Sequence, residues 1–167
     1  VLAVAEEIGL NMRGPLTVVI NSTVPVGTAD RVRSVIEKNT AHYFDVVSNP
    51  EFLREGTAVA DYFEPCLIVY GAMDDPTTAM LRDLNAALPG EHHAVDMKTA
   101  EMIKYTSNSW RAAKITFANE IGNIAKASGA DGQTVMEILC SDRKIAMSPA
   151  FLRPGFAFGG SCLPKDI

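Results

Sequence analysis

Two rhythms of apolar positions run along the chain, one after the other. Leu16-Thr17-Val18-Val19-Ile20-Asn21-Ser22 is a short apolar run rich in β-branched residues, bounded by Gly14-Pro15 and by Pro25, and it predicts a buried strand. Beyond the turn Val24-Pro25-Val26-Gly27, Val32, Val35 and Ile36 fall at helical spacing, so a helix is expected over 28–37. Asp45 to Ser48 and Cys66 to Tyr70 repeat the strand signal, and Thr77 to Leu88 reads as a helix stopped by Pro89-Gly90. Val1 opens the chain inside what also reads as a helix. Strands alternating with helices predict an α/β fold, a Rossmann-like domain with a parallel, doubly wound sheet.

From Lys98 the strand signals stop. No Gly or Pro apart from Gly122 interrupts the chain as far as Ser128, and apolar residues recur at Met102, Ile103, Ala112, Ile115, Ala118, Ile121, Ile124 and Ala125. That predicts one helix over 98–128, far longer than the globular mean of ~11–12 residues. Ala130-Asp131-Gly132 ends it, and Asp131 is placed to N-cap a further helix through Val135, Met136 and Leu139. Ser148 to Asp166, with three Pro and three Gly, predicts an ordered loop. The change of rhythm divides the chain into a Rossmann-like part over 1–96 and an all-α part over 97–167. A helix this long and apolar needs a surface to pack on. A homodimer through 98–128 is the natural expectation, although burial inside a larger chain would give the same pattern.

Composition narrows the class. Hydrophobic residues make up 47% and charged residues 21%, the balance of a globular protein rather than a disordered one. The net charge of −5, from 15 basic and 20 acidic residues, comes without any Lys/Arg cluster, which argues against a nucleic-acid or membrane-surface partner. No apolar run approaches the ~20 residues of a membrane-spanning helix. Glu6 and Glu7 break up the apolar start, so Val1 to Leu10 does not read as a secretory leader. Cys66, Cys140 and Cys162 lie far apart with no ligand spacing. The expectation is a reducing compartment, the cytoplasm, with neither a disulfide framework nor a metal site.

Four segments carry candidate chemistry. In Gly155-Phe156-Ala157-Phe158-Gly159-Gly160-Ser161-Cys162-Leu163-Pro164-Lys165-Asp166, a cysteine follows paired glycines that let a substrate carbon approach the backbone, and a nearby Lys favours the nucleophilic thiolate. Read alone, Cys162 is equally well a small buried hydrophobe. Lys104 and Asn108 lie four apart on the long helix, with Arg111 and Asn119 close to the same stripe. A cation and an amide donor are what an oxyanion on a substrate carbonyl requires, although a solvated helix face looks the same. Glu51 and Glu55, in Asn49-Pro50-Glu51-Phe52-Leu53-Arg54-Glu55-Gly56, follow the second strand and would share a face if the loop turned helical. One suits a general base for water and the other a sugar hydroxyl, or both are an acidic helix start. The turn Ser22 to Thr28 enters a helix, so its amides are placed to face a phosphate or a nicotinamide edge.

Taken in order, Ser22-Thr23-Val24-Pro25, Asn49 to Glu55, Glu101-Met102-Ile103-Lys104, Phe117 to Ala125 and Gly159 to Asp166 resemble the UDP-glucose/GDP-mannose dehydrogenase family over most of the chain. The cysteine motif is the most specific of them. The resemblance implies an NAD-dependent nucleotide-sugar 6-dehydrogenase that oxidises the C6 alcohol to a carboxylate with two NAD+ in succession. It makes Cys162 the nucleophile that holds the intermediate as a thiohemiacetal and then a thioester. Lys104 and Asn108 become the oxyanion stabilisers, Glu51 the assistant to water in thioester hydrolysis, and Asp166 a handler of a proton or water. Glu55, Arg111, Asn119 and the Phe151 to Gly159 loop, with Phe151, Leu152, Arg153, Phe156 and Gly159, become sugar-nucleotide contacts. Thr23 and Lys165 become contacts to NAD. The chemistry agrees: a four-electron oxidation without loss of aldehyde needs a covalent hold, and no side chain accepts a hydride. Acidic exopolysaccharide synthesis, such as that of alginate, is the family's usual setting.

Arg153 to Phe158 and Asn119 to Ala125 are closer to the branch that oxidises GDP-mannose than to the UDP-glucose branch. Arg111 departs from it, standing where a His is expected, and keeps UDP-glucose open as substrate. No GxGxxG occurs; the family places it upstream of Ser22, and places a C-terminal nucleotide-binding domain after the cysteine motif. The resemblance therefore implies a partial NAD-binding domain plus the central domain, and a piece not expected to bind NAD tightly or turn over alone. Two other readings stay open. One is a 2-hydroxyacid or 6-phosphogluconate-type dehydrogenase, which carries a Lys and an Asn on a long helix but does not need Cys162. The other is a non-enzymatic dimerisation module.

Overall fold

The computed structural model describes residues 1–142, 144, 152, 154 and 155. The chain falls into two compact units, Val1–Lys104 and Tyr105–Ile167. The first holds α1 (Leu2–Asn11), β1 (Leu16–Ile20), α2 (Thr28–Glu37), β2 (Phe44–Ser48), α3 (Ala58–Phe63), β3 (Leu67–Gly71), α4 (Asp75–Leu84), β4 (Glu91–Val95) and the start of α5 (Met97–Ser128). Alternation along β2 explains why helices cover both faces of the sheet. Consecutive residues of a strand point to opposite sides. Val46 is buried with Ala5, Ile20, Val32 and Ile36, whereas Val47 is buried with Ile68, Tyr70 and Leu81. A strand with no polar face reads as a continuous apolar run, and it is stable only when covered twice.

The four strands lie in the order β1-β2-β3-β4. β1 and β2 are parallel, as are β3 and β4, but β2 and β3 meet antiparallel through a single pair, Ser48 opposite Gly71. The sheet is therefore mixed where alternation predicts a parallel one. The connection explains the difference. α2 and α4 each have 10 residues and match the length of a five-residue strand, so they return the chain to the strand-start edge. α3 has 6 residues, a length of about 9 Å, too short to make that return.

Other boundaries shift for local reasons. The Asp74 side chain accepts from the Thr77 N–H at 2.8 Å and caps α4, which starts before Thr77; the Asn85 side-chain amide donates to the Leu81 carbonyl at 2.8 Å in the turn that ends it before Leu88. β4, Glu91-His92-His93-Ala94-Val95, has no apolar alternation to announce it, and it exists by pairing along the full length of β3. At Gly71 an added Cβ would lie 2.6 Å from the Ala100 Cβ, so glycine lets the start of α5 lie directly against the sheet.

In the second unit, α5 runs on to Ser128 and α6 spans Gly132–Cys140. Asp131 caps α6 as expected, accepting from the Gln133 N–H at 3.0 Å and the Thr134 hydroxyl at 2.7 Å. Ala118, Met136 and Leu152 form its buried core. Among the described residues no helix is long and apolar enough to cross a membrane.

Candidate active site

The parallel register of β1 and β2 sets Ile20 opposite Ser48, so the segments that follow leave the same edge of the sheet side by side. This carboxyl edge is where open α/β sheets bind ligands. Asn49 ties the edge together. Its N–H donates to the Ile20 carbonyl at 2.9 Å, its side-chain amide donates to the Val69 carbonyl at 2.8 Å, and its own carbonyl accepts from the Asn21 side chain at 2.9 Å. No role for Asn49 is evident from its sequence neighbours, because all three partners are supplied by chain folding.

Two residues beyond Asn49, Glu51 turns inward. Its Oε1 lies 3.1 Å from Lys104 Nζ, and its Oε2 accepts from the Leu53 N–H at 2.6 Å. Lys104 is 4% exposed, and its ammonium also stands 5.4 Å from the centre of the Phe52 ring. A buried cation is costly unless paired. Here a carboxylate and a ring face share the compensation, and the carboxylate side chain keeps 36% exposure on the accessible side. The structure thus brings together Glu51 and Lys104, two of the candidate site residues, from a loop and a helix about fifty positions apart in sequence.

Glu55 parts company with Glu51. Residues 51–54 are not helical, so the two glutamates do not share a helix face, and Glu55 lies exposed in the turn before α3. That turn is closed by Arg54, whose Nη2 and Nε donate to the Asp61 carboxylate at 2.6 and 3.0 Å, with the Thr57 hydroxyl donating at 3.0 Å. The Arg54 guanidinium holds the Asp61 carboxyl well below the usual carboxylate range.

Thr23 sits half-buried in the turn between β1 and α2. The amides at the start of α2 have a different partner from the phosphate that the turn suggests. Glu101, 2% exposed on α5, accepts from the Gly27 N–H at 2.6 Å and the Ala29 N–H at 2.8 Å. In the sequence, Glu101 stands out only as part of the motif Glu101-Met102-Ile103-Lys104. Its i, i+3 spacing to Lys104 on the buried face was the available signal.

Asn108 is 2% exposed, one turn beyond Lys104 on α5, and Arg111 and Asn119 are half-buried further along. Asn119 Oδ1 accepts from the Gly155 N–H at 2.8 Å, which brings it to the loop that the resemblance makes a sugar-nucleotide contact. Leu152 buries its side chain against Ala118 and Met136, so what it offers a ligand is backbone. Cys162, Asp166, Lys165, Phe151, Arg153, Phe156 and Gly159 lie outside the described residues. Among the described residues no group of three His, Cys, Asp or Glu side chains is gathered to hold a metal.

Residues 1–88 match the UDP-glucose/GDP-mannose dehydrogenase family, NAD binding domain, and residues 98–167 match the central domain of the same family. The chain belongs to this family. GDP-mannose 6-dehydrogenase of Pseudomonas aeruginosa is 49% identical over 98% of the chain and 39% of its own length; UDP-glucose 6-dehydrogenase TuaD of Bacillus subtilis is 40% identical over 99% and 36%. Among family structures, the ternary complex of the P. aeruginosa GDP-mannose dehydrogenase superposes with a TM-score of 0.83 at 47% identity, covering 99% of this chain and 40% of that one. A UDP-glucose dehydrogenase from the archaeon Pyrobaculum islandicum gives 0.93 at 39% identity, covering 99% and 39%. The chain thus spans about two fifths of the length of these relatives. The family resemblance read from the motifs and the Rossmann-like fold with its long helix are both borne out.

Proposed function

We propose that this chain is the catalytic-cysteine-bearing part of an NAD-dependent nucleotide-sugar 6-dehydrogenase that converts GDP-mannose to GDP-mannuronate. The observation that carries the reading is the buried Lys104 paired with Glu51 at the carboxyl edge of the sheet, in a family member whose relatives at 46–49% identity are GDP-mannose 6-dehydrogenases. NAD, when bound, supplies the acceptor for the two hydrides that leave C6. The turn at Thr23 fits the nicotinamide end of that cofactor and not its pyrophosphate, because Glu101 already fills the anion site at the start of α2. Lys165 is the second contact to NAD.

The residues divide the work. The Cys162 thiolate adds to the C6 aldehyde, forming a C–S bond and a thiohemiacetal that keeps the intermediate in place. Lys104 and Asn108 donate hydrogen bonds to the C6 oxygen as it gains negative charge. After the second oxidation the thioester is attacked by water. Glu51 takes the proton from that water, assisted by Asp166, and the C–S bond breaks to return the thiolate. Glu55, Arg111, Asn119 and the Phe151 to Gly159 loop hold the nucleotide sugar. The setting is the cytoplasm.

The partner is a second copy of the chain. Trp110, Phe117 and Ile124 recur at seven-residue intervals on α5 and are 61%, 46% and 62% exposed, with the small Ala113 and Ala127 between and beyond them on the same face. This is the seam pattern of paired helices.

The test is NADH formed per sugar nucleotide consumed by the full-length protein carrying this sequence, beside its Cys162→Ser variant. Two NADH per GDP-mannose, abolished in the variant, is the expected result. Two per UDP-glucose and none from GDP-mannose would move the substrate to the UDP-sugar branch. No NADH from either would sink the proposal.

A further inference from the structure

Among the described residues, the mechanism leaves the buried carboxylate of Glu101 unused. Glu101 gives both carboxylate oxygens to the first turn of α2, accepting from Gly27 at 2.6 Å and Ala29 at 2.8 Å. No local side chain caps this helix: Gly27 occupies the N-cap position at φ +89°, and the Thr28 hydroxyl turns back to the Pro25 carbonyl at 2.5 Å. The first amides of a helix have no partner inside it and carry the positive end of its dipole. A cap ordinarily comes from the residue just before the helix. Here it comes from one residue on another helix, 74 positions from Gly27 and 72 from Ala29 in sequence. That arrangement compensates a buried anion, and it also welds the turn after β1 to α5.

The weld lies between two functional side chains. The turn that it holds carries Thr23, and Lys104 sits one helical turn beyond Glu101. Ile20, at the other end of the turn, is fixed by its bond from Asn49. We propose that Glu101 is a positioning residue, which sets the turn bearing Thr23 at a fixed distance from the stretch of α5 bearing Lys104. The inference rests on the NAD-dependent reading above. It acts on hydride transfer rather than on binding, since a misplacement of about 1 Å between reacting partners costs on the order of 10²-fold in rate. The carboxylate also keeps solution anions out of the helix start, which is otherwise a ready phosphate site.

The experiment compares the full-length parent with its Glu101→Ala and Glu101→Gln variants. NADH production is followed with and without formate, and amide exchange is measured at Gly27 and Ala29. Glu101→Ala is expected to lower kcat on the order of 10²-fold with little change in KM for the sugar nucleotide. Formate, a small carboxylate able to occupy the vacated amide pair, is expected to restore much of the rate and the exchange protection together. Glu101→Gln keeps one acceptor oxygen and is expected to fall in between; it carries the test if the alanine variant does not fold. A folded variant with parental kcat would overturn the inference. So would a loss in which kcat and KM worsen together and formate restores nothing, since that is the mark of a merely structural residue. A parent that makes no NADH breaks the functional reading instead. Amide exchange then decides separately: protection at Gly27 and Ala29 that survives Glu101→Ala overturns the hold on the turn, and protection lost and restored by formate supports it.

Discussion

Two stretches of α5 treat the same solvent in opposite ways. Between residues 101 and 108 the helix buries polar groups, with Glu101, Lys104 and Asn108 at 2%, 4% and 2% exposure; between 110 and 124 it exposes Trp110, Phe117 and Ile124. A buried charge and an exposed cluster of large apolar residues are the two informative exceptions to the inside–outside rule. Each costs free energy in the isolated chain, so each needs a compensating partner. In the first stretch the partners are amides of α2 for Glu101, and the Glu51 carboxylate and the Phe52 ring for Lys104. For the second we have proposed another copy of the chain. On the proposed function, one helix serves as the spine of a chemical site and as an assembly surface.

The comparison is broken most sharply at Lys104. In the full-length protein, Lys104→Ala is expected to lower kcat on the order of 10²–10³-fold, the usual loss when an oxyanion donor is removed. Stability should change far less, because the abandoned Glu51 side chain is 36% exposed and can hydrate. A large drop in the urea midpoint with normal activity in the folded fraction would make Lys104 a structural residue.

At Glu101 a cost in stability is expected beside the loss of rate. Glu101→Ala is expected to cost about 3 kcal/mol in urea unfolding, since two amides, one of them buried, lose a charged acceptor. A loss below about 0.5 kcal/mol would mean that water reaches those amides, and the contrast between the two stretches would weaken.

On the exposed stretch, Phe117→Glu is expected to weaken self-association by about 2 kcal/mol, as loss of a buried aromatic anchor does. Light scattering across a concentration series reads this directly. A parent that is monomeric throughout would remove the proposed partner.

The smallest effect is expected at the surface turn before α3. The Asp61 carboxyl titrates lower in the folded chain than when unfolded, chiefly through its hydrogen bond from Arg54. Its contribution is therefore fully present above the unfolded value of ~3.9 and is lost only as the pH falls through the lower folded value. Arg54→Ala should lower the urea midpoint slightly at pH 7, and the difference from the parent should vanish as the pH falls below the folded value. A large shift at pH 7 would show that the turn holds more of the fold than its exposure implies.

Much of this was legible in the sequence. The strands at Leu16, Asp45 and Cys66, the helices at Thr28 and Thr77, the long helix from Lys98 and the Asp131 cap all follow from spacing and turn residues within a few positions of one another. The family followed from the order of its motifs. What stayed hidden shares one property, that a residue's state depends on a partner distant in sequence. Glu91-His92-His93 becomes a strand only because β3 offers its edge, and Glu101 looks like any helical glutamate until α2 supplies its amides.

By itself, then, the sequence determined the elements other than α3 and β4, their order and the family, because apolar periodicity, capping and turn chemistry act over a few residues. Tertiary structure alone decided that β2 and β3 meet antiparallel, that Glu51 faces Lys104 while Glu55 does not share its face, and that the start of α2 is filled by Glu101 instead of a ligand. Burial and pairing are properties of the packed chain, and for an ionisable side chain they separate a solvated surface group from a working one.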